Sequence, residues 1–163
     1  MFVLSIECLR GLGNGFIIKE LAIIELKHND EQNIQNLHFE APYPSYLLPN
    51  YIRRTNRWIT RTLHGMEWGD GYIPYSKLKI LLSDAIGSDK NIFAKGSENC
   101  AILSNILGRE VSNLEIFGCP KVDDIDIPMV SCIWNHRSKS CAINKGLKYA
   151  SWLYQQCNDV TTD

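Results

Sequence analysis

The amino-acid sequence predicts an α/β domain: a mixed five-stranded sheet that opens as an antiparallel meander, continues with parallel strands, and is flanked by helices. Three observations predict it. The first forty residues hold three strand-like segments divided by turn residues, with no helical period. Prolines at 42, 44 and 49 then separate this region from segments of helical spacing. From Asn91 onward, short apolar runs alternate with helical stretches, as in βα crossovers that add parallel strands to one sheet.

Taken in order, Phe2 to Glu7 is short, apolar and strand-like, and Gly11, Gly13, Asn14 and Gly15 form a turn cluster. Phe16 to Leu26 is a second strand rich in isoleucine, with Glu20 set inside the apolar run. A polar loop from His28 leads to a third strand, Asn33 to Phe39, which carries His38. A helix is expected over Tyr51 to Leu63, ended by His64-Gly65, since glycine is the usual residue just past a helix end. Gly69-Asp70-Gly71 is a turn, after which Ser76 is expected to cap a helix through Ile86, with Leu78, Leu81, Leu82 and Ala85 inward. A strand at Asn91–Lys95 and a helix from Ser97, closed by Gly108, come next. Val111 to Phe117 reads as the last strand, Pro120 to Pro128 as an acidic loop, and Cys141 to Gln156 as the last helix. Residues 1–157 form one domain, with 158–163 as a C-terminal tail.

A chain of 163 residues can bury a full core, and its 45% hydrophobic and 21% charged residues are those of a globular protein. The net charge of −1 gives no global field toward nucleic acid or membrane, so any basic surface is local. The six cysteines are too dispersed for the disulfide framework of a small secreted domain. Glu7 and Arg10 break the N-terminal apolar run, which excludes a signal peptide, and no apolar run reaches membrane-spanning length. An intracellular protein, cytoplasmic or nuclear, with free or metal-bound thiols and no membrane partner is expected.

The chemistry concentrates in Cys132-Ile-Trp-Asn-His136-Arg-Ser-Lys-Ser-Cys141. A cysteine alone is most often a small buried hydrophobe. Three soft or borderline ligands in ten residues of a polar segment instead supply three of the four donors of a tetrahedral zinc site. Cys119, in Gly-Cys119-Pro120, is a fourth candidate by proximity. No serine or cysteine nucleophile arrangement stands out, so catalytic residues are unknown. Arg53, Arg54, Arg57 and Arg61 share about a third of the predicted helix circumference, with Trp58 interleaved. Such a stripe is either a solvated helix face or a contact for phosphates and a base.

The element order resembles the RNase H-like fold. Within it, Phe16-Ile-Ile-Lys-Glu20-Leu-Ala-Ile-Ile, Ile92-Phe-Ala-Lys-Gly-Ser-Glu-Asn-Cys100 and Cys141-Ala-Ile-Asn-Lys145-Gly-Leu resemble stretches of DEDD-type 3′–5′ exonucleases. The acidic set that holds two magnesium ions is missing: beside Glu7, the expected positions carry Cys8 or Leu9, Cys100 and Lys145. Two-metal cleavage needs clustered carboxylates, so a competent exonuclease of this type is not expected. The chain is more similar to the Maelstrom domain of the piRNA pathway, an RNase H-like domain whose acidic set is replaced by Glu-His-His-Cys-His-Cys. Glu20, His38, His64, Cys132, His136 and Cys141 stand in that order.

The resemblance implies His64 as the fourth ligand, giving a closed site of His64, Cys132, His136 and Cys141; Cys119 would instead give a Cys3His site. Glu20 and His38 would then support the ligand imidazoles. Four protein ligands leave no open position, so the implied zinc is structural. The resemblance also implies single-stranded RNA as a partner, met by Arg53, Arg54, Arg57, Trp58 and Arg61, together with proteins of small-RNA silencing. It allows a weak single-stranded RNA endonuclease activity. Two alternatives stand beside this reading: a protein-interaction scaffold without nucleic-acid binding, and a residual RNA nuclease with a different site, around Glu7 and Glu20.

Overall fold

Apolar residues fill most positions of two early segments, which therefore need cover on both faces. In the computed structural model, which describes residues 1–27, 31–132 and 140–159, these segments are the central strands of the sheet. Strand β1 spans Phe2–Arg10 and β2 spans Phe16–Leu26; β3 is Gln32–His38, β4 Ile92–Ala94 and β5 Ser112–Asn113. The sheet order is β3-β2-β1-β4-β5, with β1, β2 and β3 antiparallel in sequence and β1, β4 and β5 parallel. The α/β fold and its five-stranded mixed sheet are thus those expected from the sequence.

Four α-helices cover the sheet: α1 (Asn50–Ile59), α2 (Leu78–Ile86), α3 (Ser97–Leu107) and α4 (Ala142–Asp159). Strand alternation divides the core in two. Phe2, Leu4, Ile6, Leu21 and Ile23 meet Leu82, Ile86 and Leu103 of α2 and α3. Val3, Ala22 and Ile24 meet Ala142, Ile143 and Ala150 of α4 on the other face. Helix α4 lies so close that a Cβ on Gly146 would fall 2.5 Å from Ile24 Cδ1. Among the described residues, no helix is long and apolar enough to cross a membrane.

Local chemistry shifts some element ends. Val111 to Phe117 is strand only at Ser112–Asn113, because Asn113 Oδ1 accepts from Glu115 N at 3.1 Å and turns Leu114–Phe117 into a 3-10 helix. Ser76 does not cap α2: it lies inside a 3-10 turn, Tyr75–Lys77, that follows Pro74 and runs into the helix, with no side chain capping. Helix α1 widens into a π-helical turn, Thr60–His64, before Gly65 leaves it at φ 78°. Gly71 admits no side chain: at φ 110° its Cβ would lie 2.2 Å from Phe39 O, where the chain pairs beside β3.

One irregularity sets the site. Glu7 pairs with Glu20 and Cys8 with Ile18, so Lys19 is the extra residue of a β-bulge in β2. The bulge turns Ile18 to the α2–α3 core while Glu20 keeps to the α4 side. Lys19 itself is fully buried, donating from Nζ to Trp68 O at 2.9 Å and Asp70 O at 2.5 Å.

Candidate metal centre and candidate nucleic-acid interface

The strand register lines up Glu7, Glu20 and His38 across β1, β2 and β3. Residues 13 and 18 apart in the chain thereby become direct neighbours. Over Glu20 sits the start of α4, whose first amide, Ala142 N, donates to Glu20 Oε2 at 3.0 Å. A carboxylate suits a helix N-terminus, where unpaired N–H groups and the dipole favour negative charge. The other oxygen, Oε1, lies 3.3 Å from Cys141 Sγ, 3.6 Å from His38 Nε2 and 3.8 Å from Cys132 Sγ. Cys132 Sγ is 3.9 Å from His38 Nε2, and the Asn36 amide donates toward that sulfur at 3.7 Å. Glu20, His38 and Cys141 are fully buried.

Segment 126–132 brings Cys132 to the group because Asn144 of α4 holds it. Val130 N donates to Asn144 Oδ1 at 2.7 Å, and Asn144 Nδ2 donates to Val130 O at 3.1 Å. This buried amide pairs with the backbone as a neighbouring strand would.

Glu20, His38 and Cys132 form a buried group that could hold a metal ion, one donor atom from each lying within 4.8 Å of the others. Tetrahedral zinc, with bonds of about 2.0–2.3 Å, sets its donors about 3.3–3.8 Å apart. Cys141 Sγ stands at that spacing from Glu20 Oε1 alone, at 3.3 Å, and is not among the three donors that lie within 4.8 Å of one another. Burial pushes the Cys141 thiol well up from its usual range, and the Glu20 carboxylate beside it adds to the shift. A metal here would bind by displacing that proton.

The structure distributes the sequence-predicted ligands unevenly. Cys132 and Cys141 stand at this group, and His136 lies outside the described residues. His64 is buried under the end of α1, its Nδ1 accepting from Met66 N at 3.1 Å and its Nε2 facing Cys8 O at 3.1 Å. It lines a cavity of about 390 Å³ with Glu7, Glu98 and Lys145, and it is not one of the three gathered side chains. Cys119 is buried in the α4-side core with its carbonyl accepting from Lys95 Nζ at 3.0 Å, also outside the group. Glu20 and His38, expected as supports or alternative ligands, have donor atoms at ligand spacing. The signal in the sequence was an acid inside an apolar strand and a histidine at the end of a largely polar one; their meeting needed the register.

In the 390 Å³ cavity, Glu7 is ion-paired with Lys145; Cys100 lies instead in the α2–α3 core, its thiol toward Ala94 O at 3.5 Å. Among the described residues no three carboxylates gather, so nothing there resembles a site for hard divalent cations.

The arginine stripe divides. Helix α1 buries Ile52 and Asn56, and Asn56 clamps the end of β1: Arg10 N donates to Oδ1 at 2.7 Å and Nδ2 donates to Arg10 O at 2.8 Å. All four arginines are consequently exposed. Arg53, Arg57 and Arg61, at intervals of four, line a cavity of about 350 Å³ with Ser45, Glu67 and Trp68. Trp58, 58% exposed, instead lines the 390 Å³ cavity, and Arg54 lines neither. Among the described residues no carboxylate lies within 4 Å of these guanidinium groups.

Comparison of the chain with protein-family models, with curated proteins and with solved structures gives no match.

Proposed function

We propose that the chain is a zinc-stabilised RNase H-like module that binds single-stranded RNA and serves small-RNA silencing partners. The buried group of Glu20, His38 and Cys132, with Cys141 beside it, carries this reading. One carboxylate, one imidazole and two thiols are a borderline-to-soft donor set that suits zinc over magnesium or calcium. Zinc held by the three, with Cys141 drawn in as the fourth donor, would have a filled tetrahedron, so its contribution is to hold chain segments together. The same residues belong to the Glu-His-His-Cys-His-Cys set of the Maelstrom resemblance, which supplies the RNA part of the proposal.

For RNA, the support is a basic helix face in a chain of net charge −1. Arg53, Arg54, Arg57 and Arg61 project from α1 with no carboxylate partner among the described residues, and Trp58 offers an exposed ring for stacking. Binding through these groups depends on salt, with a slope of about −0.7 per phosphate neutralised on a single strand. Replacing all four arginines by glutamine is expected to flatten the slope by about 2–3 and to weaken binding at low salt, read by fluorescence anisotropy of a labelled oligoribonucleotide. An unchanged slope would remove α1 from the interface.

A further inference from the structure

The cavity beside α1 has a narrower chemistry than a basic helix face. Several of its polar groups are already committed. Thr60 Oγ1 donates to Met66 O at 2.7 Å, both ends of the Asn56 amide are held by Arg10, and Trp68 Nε1 donates to Tyr43 O at 2.8 Å. What remains is the guanidinium groups of Arg53, Arg57 and Arg61, the Ser45 hydroxyl, the Glu67 carboxylate and the part of the Trp68 ring not packed against Tyr43, whose centroid lies 5.5 Å away. Arg53 donates to Asn50 Oδ1; the guanidinium groups of Arg57 and Arg61 make no hydrogen bond among the described residues.

We infer that this cavity is a pocket for a nucleotide bearing a terminal phosphate monoester. The charge fits: three arginines against one glutamate leave an excess of two positive charges, and a phosphate monoester carries about −1.5 to −2 near neutral pH. An internal phosphodiester carries half of that and needs the strand to leave on two sides. A terminal group leaves on one side only, as a concavity requires. Guanidinium forks recognise phosphate oxygens bidentately. Successive arginines rise about 6 Å along the helix, so more than one can reach a single nucleotide. The volume, about 350 Å³, suits one small ligand. The Trp68 ring offers a stacking surface for a base, and Glu67 an acceptor for a sugar hydroxyl.

The walls are fixed before any ligand arrives, which lowers the ordering cost of binding. Asn56 ties α1 to the end of β1, and the Lys19 ammonium holds the carbonyls of Trp68 and Asp70. The inference rests on the nucleic-acid reading of this face, and the shared chemistry admits two sources of the phosphate: a strand end or a free nucleotide.

The test measures binding of one short single-stranded oligoribonucleotide in three forms, 5′-phosphorylated, 3′-phosphorylated and hydroxyl-ended, with adenosine monophosphate as competitor. A phosphate at one end is expected to tighten binding at least about tenfold. Arg57→Gln and Arg61→Gln abolish that increment and Arg54→Gln leaves it, all three being exposed positions with little effect on folding. Adenosine monophosphate that binds and loses affinity in Arg57→Gln, with no strand bound, keeps the pocket and overturns the strand reading. Equal affinity for all three forms, weakened equally by each arginine variant, overturns the pocket and keeps the RNA face. No binding of any probe overturns both.

Discussion

At the residue scale, the proposed zinc site rests on which side chains face Glu20 Oε1. His38 Nε2, Cys132 Sγ and Cys141 Sγ lie 3.3–3.8 Å from it, whereas His64 has its ring nitrogens on Cys8 O and Met66 N. His38→Ala, Cys132→Ser and Cys141→Ser are therefore expected to weaken zinc binding more than about a hundredfold. Cys119→Ser and His64→Ala are expected to purify with zinc retained, as read by elemental analysis and competition with a chromophoric chelator. Zinc kept by His38→Ala and lost from His64→Ala would instead restore the quartet that the resemblance implies. Sequence order delivered these residue types, including the acid inside the apolar β2 and the histidine at the end of β3. Their arrangement was not legible, because Glu20 meets His38 only through the β2–β3 register, and Cys132 arrives from more than ninety positions away.

At the element scale, long periodic segments were readable and their ends were not. Strand β2 and helix α3 occupy Phe16–Leu26 and Ser97–Leu107, where the apolar runs and flanking glycines place them. Side-chain competition for backbone, as by Asn113, has no periodic signature, so the last strand reads too long. The bulge was equally hidden, since an extra residue in one strand leaves no mark in its apolar run. The extra residue, Lys19, is buried, and burial lowers its pKa to about 8, with Asp70 and Glu40 opposing the shift. An amine whose folded pKa is depressed binds fewer protons folded than unfolded between about pH 8 and the ordinary value near 10.4. Its contribution to stability therefore rises with pH across that window. Urea unfolding of the wild type and Lys19→Met is expected to show the wild type gaining on the variant by on the order of 1–2 kcal/mol between about pH 7.5 and pH 10. Opposing groups common to both chains, such as Cys8, whose thiol burial pushes up to about 12, cancel in the difference. A difference independent of pH would mean that Lys19 takes its proton as an exposed lysine does.

At the scale of the whole molecule, the two halves of the core are stabilised by different means. The face under α2 and α3 is a continuous apolar cluster, whereas the α4 face carries Glu7, Glu20 and His38 in its interior. Buried ionisable groups in that number oppose folding unless they are paired or bound to metal. The proposed zinc would join β2 and β3 to the start of α4 and to the stretch that carries Cys132. Free zinc at a thousandfold over its Kd would stabilise the folded state by about 4 kcal/mol. For a chain of this size, each kcal/mol moves Tm by about 2–4 °C, so chelation is expected to lower Tm by about 8–16 °C. Hydrogen exchange places the effect: amides at the start of α4 and the end of β3 should lose protection on chelation, while those of α3 and β4 keep theirs. Identical melts with and without chelator, on protein shown to contain zinc beforehand, would make the metal incidental to the fold. A uniform loss of protection would instead mean that the metal-bound face and the apolar face unfold as one cooperative unit.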